Sequence, residues 1–268
     1  MLSAAVGPLA LSVHQWLGLL ALAAALAAGG VAARRSGKRV SHLLIDAVLV
    51  GLVSARIGFV VRYLPQYRGD WLGIVDIRDG GFMAIPGVLG AGAFLGWWLW
   101  KAPARRRALA TAIVTGALVW GTTAGSLSLI DATSRALPQA ALATRDGDRV
   151  ALDAWDGRPM VVNLWASWCP PCRREMPVLE AAQQRYEEIA FVFVNQGEGR
   201  RTVGRYLAAE DLELDNVLLD QRRAVGREVG AAGLPTTLVY DREGRLVDVH
   251  TGELSRASLH SVLERFGT

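Results

Sequence analysis

The sequence predicts a four-helix transmembrane region followed by an α/β domain in which helices flank a central mixed sheet. Three observations carry this expectation. Charge is sparse before about Asp131 and dense after it, four apolar runs precede that point, and β-rich segments alternate with helical ones beyond it. A chain of 268 residues is also long for one domain, since about 150 residues is a usual domain size. We expect a transmembrane domain over residues 1–133 and a second domain over residues 138–268.

The apolar runs are about Leu11 to Ala33, Leu43 to Val61, Phe82 to Trp100 and Ala108 to Ile130, each near the roughly 20 residues a spanning helix needs. Nothing before Arg34 is formally charged, so the first run lacks the basic start of a cleaved signal and reads as a retained helix. Arg34, Arg35, Lys38 and Arg39 fill one loop, and Lys101, Arg105, Arg106 and Arg107 another, with no acid in either. Both loops should be cytoplasmic, which leaves both termini outside. The loop from Arg62 to Gly81 balances Arg62, Arg68 and Arg78 against Asp70, Asp76 and Asp79 and suits the outer side. Trp97, Trp98 and Trp100 beside Lys101 suit an interfacial anchor, with membrane lipid as the neighbour. Asp46 and Arg56 lie inside the second run but near its ends, where snorkelling outweighs a functional role.

Residues 1–133 hold 12 Lys/Arg against 5 Asp/Glu and the remainder 17 against 20, giving +7 and −3. The basic surplus sits in short loops between apolar runs. That pattern sets membrane topology and argues against nucleic acid as a partner.

Part of this region resembles the prolipoprotein diacylglyceryl transferase family. The resemblance rests on Ser54-Ala55-Arg56-Ile57-Gly58-Phe59-Val60-Val61-Arg62-Tyr63 and on Asp79-Gly80-Gly81 followed by Pro86-Gly87-Val88-Leu89-Gly90. Where that family carries a histidine before a glycine pair, this chain has Ile85 and then Pro86-Gly87, and Thr115 to Ile130 contains no charged residue and no Asn. The resemblance implies a transferase-like scaffold without transferase chemistry.

A linker from Asp131 to Gln139 leads to two strand-like pieces, Ala140 to Ala143 and Arg149 to Trp155, joined by a turn at Asp146-Gly147. Met160 to Trp165 is a β-rich run, and from Cys172 a helical pattern continues through Met176, Leu179, Ala182 and Tyr186. Ala190 to Val194 and Val217 to Leu219 read as buried strands, with helices near Thr202 to Ala209 and Arg222 to Val229. A hairpin from Thr236 to Thr251, turning at Asp241 to Gly244, and a helix from about Ser255 to Phe266 complete the domain.

The chain has two cysteines, in Trp168-Cys169-Pro170-Pro171-Cys172, at the junction between the β-rich run and the helix. A disulfide closing so short a loop removes little unfolded-chain entropy, so the pair points to redox exchange rather than a staple. A sulfur just before a helix start lies beside unpaired backbone N–H groups, which favours the thiolate. Cys169 is the expected nucleophile, and Cys172, one turn on, attacks the mixed disulfide that forms. Pro170 and Pro171 bring no N–H donors, so less stabilisation reaches the thiolate and a reducing site is expected; the charges of Arg173 and Arg174 oppose that inference. Glu175 either handles the Cys172 proton or only favours the positive helix end. The competing reading of Cys-x-x-Cys is half a zinc site, but only His250 and His260 remain in this half as further His or Cys ligands, and no metal or cofactor is expected. Gly233-Leu234-Pro235-Thr236 forms a turn before a strand, for which an ordinary trans bond competes with a cis one.

The run from Asn163 to Pro177, with Trp168-Cys169-Pro170-Pro171-Cys172 at its centre, resembles the TlpA/ResA-like branch of the thioredoxin superfamily over about residues 138–267. The resemblance implies a thioredoxin fold, a nucleophilic Cys169, a resolving Cys172, a functional carboxylate at Glu175, a kink at Pro177 and a cis bond at Leu234-Pro235. It also implies a docking surface shaped by Trp168, with Pro170, Leu234 and Thr236 beside it. Asn163 stands where cytoplasmic thioredoxins keep a buried aspartate. The expected function is reduction of protein disulfides in the periplasm of a bacterium, from an inner-membrane anchor. The partners are a disulfide-bearing protein substrate and a membrane thiol donor, because the spans contain no cysteine to relay electrons. The rivals are a disulfide oxidase or isomerase, and a lipid- or lipoprotein-binding membrane module with a redox adaptor.

Overall fold

The computed structural model describes residues 3–6, 9–36, 40–130, 137–231 and 233–266. Lys38, Arg39 and most of the linker from residue 131 lie outside them. The chain forms two compact units, one of His14–Ile74 with Gly81–Ile130, the other built chiefly from the chain beyond Asp131.

Two short strands open the chain, β1 (Ser3–Val6) and β2 (Leu9–Ser12), paired antiparallel. The sequence reading placed Leu11 at the start of a helix; the helix α1 begins at Val13 and runs to Ser36. It is followed by α2 (Ser41–Arg62), α3 (Ala84–Lys101) and α4 (Arg106–Ile130). Among the described residues, three stretches are long and apolar enough to cross a membrane: Trp16–Arg34, Ser41–Arg62 and Pro103–Ser126. The third expected run forms α3, whose 18 residues reach about 27 Å, slightly short of a roughly 30 Å hydrocarbon core. Its glycines and its three tryptophans also dilute its apolar character.

Small residues let α2 and α3 approach closely, as in membrane helix pairs generally. A Cβ added at Gly87 would meet that of Ala55 at 3.1 Å, one at Gly58 would overlap Pro86, and one at Gly90 would overlap Ser54. We expect Gly90→Leu to cost about 1–3 kcal/mol by overpacking. Gly92→Leu, on the same helix with nothing within 4 Å, should be close to neutral; thermal unfolding of the two variants in detergent makes the comparison.

Arg56 corrects the snorkelling reading. It is 9% exposed, and its guanidinium donates to the carbonyls of Gly73 (2.8 Å), Ile74 (3.0 Å) and Gly81 (2.9 Å). It also lies over the Phe59 and Tyr67 rings. A buried cation is held this way because carbonyl dipoles and ring faces replace its lost water. Asp46, in contrast, is exposed in the first turns of α2.

The second unit contains a seven-stranded sheet in the order β4-β3-β7-β6-β5-β8-β9. The strands are β3 (Leu142–Thr144), β4 (Arg149–Val150), β5 (Met160–Trp165), β6 (Ala190–Gln196), β7 (Val217–Asp220), β8 (Thr236–Tyr240) and β9 (Leu246–Thr251). The helices are α5 (Pro170–Arg185), α6 (Arg200–Ala209), α7 (Ala224–Glu228) and α8 (Arg256–Leu263). β5, β6 and β7 are parallel, while β3, β8 and β9 pair antiparallel with their neighbours, so the sheet is mixed. The piece expected as a strand from Arg149 to Trp155 stops at Val150, and Leu152–Trp155 forms a 3-10 turn that buries Leu152.

The sheet has a core on each face, and strand alternation assigns residues to them. On β5, Met160, Val162 and Leu164 face one core, while Val161 and Trp165 face the other beside Met176 and Leu179 of α5. Asn163, between Val161 and Trp165, therefore faces α5. Pro177 lies inside that helix and gives the Arg173 carbonyl no N–H to accept.

Candidate functional site

β5 ends at Trp165 and α5 begins at Pro170, so the Cys-x-x-Cys segment forms the corner between a fully buried strand and a helix N-terminus. Cys169 is the residue that caps α5. Its Sγ accepts from the Cys172 N–H at 3.3 Å, and Pro170 and Pro171 occupy the first two helical positions. Of the first three amides of the helix, two have no hydrogen to offer, and one N–H reaches the sulfur. The cysteines are joined as a disulfide with their Cα atoms 5.3 Å apart. Cys169 is 3% exposed and Cys172 fully buried, whereas Trp168 beside them is 60% exposed.

Arg173 and Arg174 are exposed at the helix start, and both are paired. Arg173 bonds Glu210, and Arg174 bonds Glu253 at 2.6 Å. Their charges are thus answered by carboxylates of their own, which weakens the opposition they offered to a reducing site.

The Leu234–Pro235 bond is cis. Thr236 pairs with Leu164 across β8 and β5, so the bend before β8 lies at the same end of the sheet as the cysteines. Pro235 and Thr236 are buried, with the Thr236 hydroxyl donating to the Gly233 carbonyl at 2.8 Å. Leu234 packs against the core that contains both sulfurs. The structure thus gathers Trp168, the cysteines, Leu234, Pro235 and Thr236; Pro170 is exposed at the same corner.

Glu175 follows Cys172 by three residues on the inner face of α5 and is fully buried. Its carboxylate accepts from the Asn163 amide at 2.8 Å and from the Leu254 N–H at 2.9 Å. The Asn163 amide also donates to the Thr237 hydroxyl at 3.0 Å, its partner in register on β8. Burial pushes the carboxyl up to about 8, against the two hydrogen bonds that favour the anion. Among the described residues, the buried Asn163 Oδ1 has no hydrogen-bond partner. Turning the amide over would present that oxygen to a protonated Glu175, so the same side chain serves both protonation states.

Glu198 is a residue the sequence reading missed. Its carboxylate accepts from the Ser167 N–H (2.7 Å), the Ser167 hydroxyl (2.6 Å) and the Asn195 amide (2.7 Å). It ties the segment leading into Cys169 to the end of β6. The available signal was an Asn and an acid three residues apart at the end of a strand.

A cysteine pair at a helix N-terminus, a cis-proline bend beside it and a buried carboxyl beneath it define a thiol-disulfide oxidoreductase of the thioredoxin fold. A Redoxin family model matches residues 132–263, and a prolipoprotein diacylglyceryl transferase model matches residues 4–176. The chain is 31% identical over 121 residues to the thiol-disulfide oxidoreductase ResA of Halalkalibacterium halodurans, covering 44% of this chain and 68% of that one. It is 29% identical over 129 residues to the thioredoxin-like protein YneN of Bacillus subtilis, covering 47% and 76%. Among solved structures, a thioredoxin-family thiol:disulfide interchange protein from Chlorobium tepidum is 27% identical, covering 50% of this chain and 97% of that one at a TM-score of 0.44. The chain belongs to the ResA family of thiol-disulfide oxidoreductases through its C-terminal half and to the prolipoprotein diacylglyceryl transferase family through its N-terminal region. It is a membrane-associated enzyme of thiol-disulfide exchange.

Proposed function

We propose that this chain reduces protein disulfides on the periplasmic side of the bacterial inner membrane. The observation that carries the direction is the proline pair, which leaves one N–H on the Cys169 sulfur and so raises the free energy of its thiolate relative to the disulfide. The Cys169 thiolate attacks one sulfur of the substrate disulfide, forming a mixed disulfide and expelling the other sulfur as a thiolate. Cys172 then loses its proton to Glu175 and attacks the Cys169 sulfur. The Cys169–Cys172 disulfide forms and the second substrate sulfur leaves, so two electrons have passed to the substrate. A thiol-bearing membrane protein returns the enzyme to its dithiol.

The basic residues clustered at and beyond the ends of α1 and α3 and at the start of α4 support a topology with the redox domain outside, α3 serving as a fourth, short span. The membrane half then acts as an anchor without transferase chemistry. The testing experiment is equilibration of the full chain with glutathione buffers. A reduction potential below about −180 mV is expected, and a value near the roughly −120 mV of a strong oxidant would overturn the proposal.

A further inference from the structure

A cleft of about 460 Å³ opens at Trp168, the residue before Cys169. Trp168 and Leu234, the latter packed against the core that holds both sulfurs, line it together with Arg222, Arg223 and Arg227. All three arginines are exposed, and none forms an ion pair among the described residues. Three acids on the same and adjoining segments are already engaged. Asp220 accepts from the Ala224 and Val225 N–H groups and from the Gln196 amide. Glu198 holds Ser167 and Asn195, and Glu228 accepts from the Gln139 N–H.

Arg223 is placed rather than merely left over. Its backbone is left-handed, with φ at 53°, and its guanidinium lies over Gly197, where an added Cβ would come within 2.8 Å of Nε. A bulkier residue at position 197 would displace it. The unit is mildly acidic overall, so three unanswered cations along one cleft are a local departure from its net charge.

We infer that Arg222, Arg223 and Arg227 select disulfide substrates whose chain carries aspartate or glutamate a few residues from the reactive cysteine. The inference rests on the reductase reading above and adds the substrate's charge to it. The redox corner fixes one end of the bound segment, because the substrate sulfur must reach Cys169. A chain leaving that point along the cleft runs against a lining that combines Trp168 and Leu234 with the three arginines, to which carboxylates are drawn by charge. An anionic lipid headgroup has matching charge but no reason to lie beside the sulfurs.

The test uses the pre-reduced full chain in uncharged-lipid nanodiscs and three fluorogenic disulfide peptides that differ only in flanking residues: acidic, neutral or basic. We expect electron transfer to the acidic peptide to have a second-order rate about tenfold above the neutral one at low salt. The advantage should shrink once the Debye length falls below about 10 Å. The combined variant Arg222→Gln, Arg223→Asn and Arg227→Gln should lose that preference with the neutral-peptide rate unchanged; asparagine tolerates the left-handed backbone at 223. Arg227→Gln alone should lower the preference about two- to threefold and guards against misfolding of the triple variant. Equal rates on all three peptides, or a preference that survives the triple substitution, would overturn the inference and leave the reductase reading standing. Loss of binding to phosphatidylglycerol vesicles in the triple variant, without any peptide preference in the parent, would overturn it in favour of lipid. Absence of transfer to every peptide would overturn both.

Discussion

Cys169→Ser and Cys172→Ala should fail in different ways, and the difference assigns the two sulfurs their roles. Without Cys169 the full chain, offered a disulfide protein and a chemical reductant, should fall to the uncatalysed rate, a loss on the order of a thousandfold or more. Without Cys172 the first attack still proceeds and then stalls, so the enzyme should accumulate as a mixed disulfide visible on a non-reducing gel. The reason is positional. Cys169 caps α5 and sits next to the exposed Trp168, while Cys172 is wholly buried behind it. A substrate meets the first sulfur from outside, and only the second can reach that bond from within. Cys172→Ala removes one buried sulfur, so its cost in stability should stay near 1 kcal/mol. Mass spectrometry of the trapped adduct gives the expected linkage at Cys169; adducts through Cys172 in the Cys169→Ser chain would reverse the assignment.

The redox corner was legible because its signals are local. Strand-type residues, a cysteine pair and a helical period follow one another within Met160 to Tyr186, and the helix forms where that order places it. The expected strands β5 to β9 and the last helix stand within a few residues of their predicted ends, since alternation and turn residues mark them. The surroundings of Glu175 were not legible in the same way. Asn163, Thr237 and Leu254 come from three separate stretches, and only the β5–β8 register sets Asn163 opposite Thr237. Glu198 was missed for the same reason, as its role depends on which strand lies beside β5. Arg56 read as an interfacial cation because its acceptors are loop carbonyls, which have no sequence signature. The arginines at 222, 223 and 227 read as part of one helical stretch from Arg222 to Val229; the helix begins only at Ala224, and the fold sets all three along a cleft with Trp168. In the membrane half, α3 carries three tryptophans and four glycines, and only the fold shows that two of these glycines, Gly87 and Gly90, meet α2.

Glu175→Gln should raise stability at alkaline pH while slowing the second chemical step. The carboxyl rises from an ordinary 4.5 to about 8 on burial. A group with a raised folded-state value stabilises the fold below its unfolded value, and that contribution is lost as pH climbs through the folded one. For Glu175 the window runs from about pH 4.5 to 8, and at about 1.4 kcal/mol per unit the change has a ceiling of about 5 kcal/mol. Hydrogen exchange at the α5 and β5 amides, compared between the oxidised parent and variant at matched pH, should show equal protection near pH 5 and greater protection in the variant near pH 9. A variant less protected than the parent at pH 9 would mean that the anion, held by Asn163 and Leu254, is the stable form. The kinetic half follows from the same burial: a carboxyl near 8 lies close to a thiol's ordinary value of roughly 8.5, so a proton passes between them with little free-energy change. In single-turnover release of substrate from the mixed disulfide, Glu175→Gln should slow the step about a hundredfold at pH 7. It should also remove the inflection near 8. A purely packing role would leave that inflection in place. Glutamine keeps the shape, its Oε1 accepting from the Leu254 N–H and its Nε2 donating to the Asn163 Oδ1 once that amide turns over. It cannot carry a proton away, so the two measurements together separate stability from chemistry at one side chain.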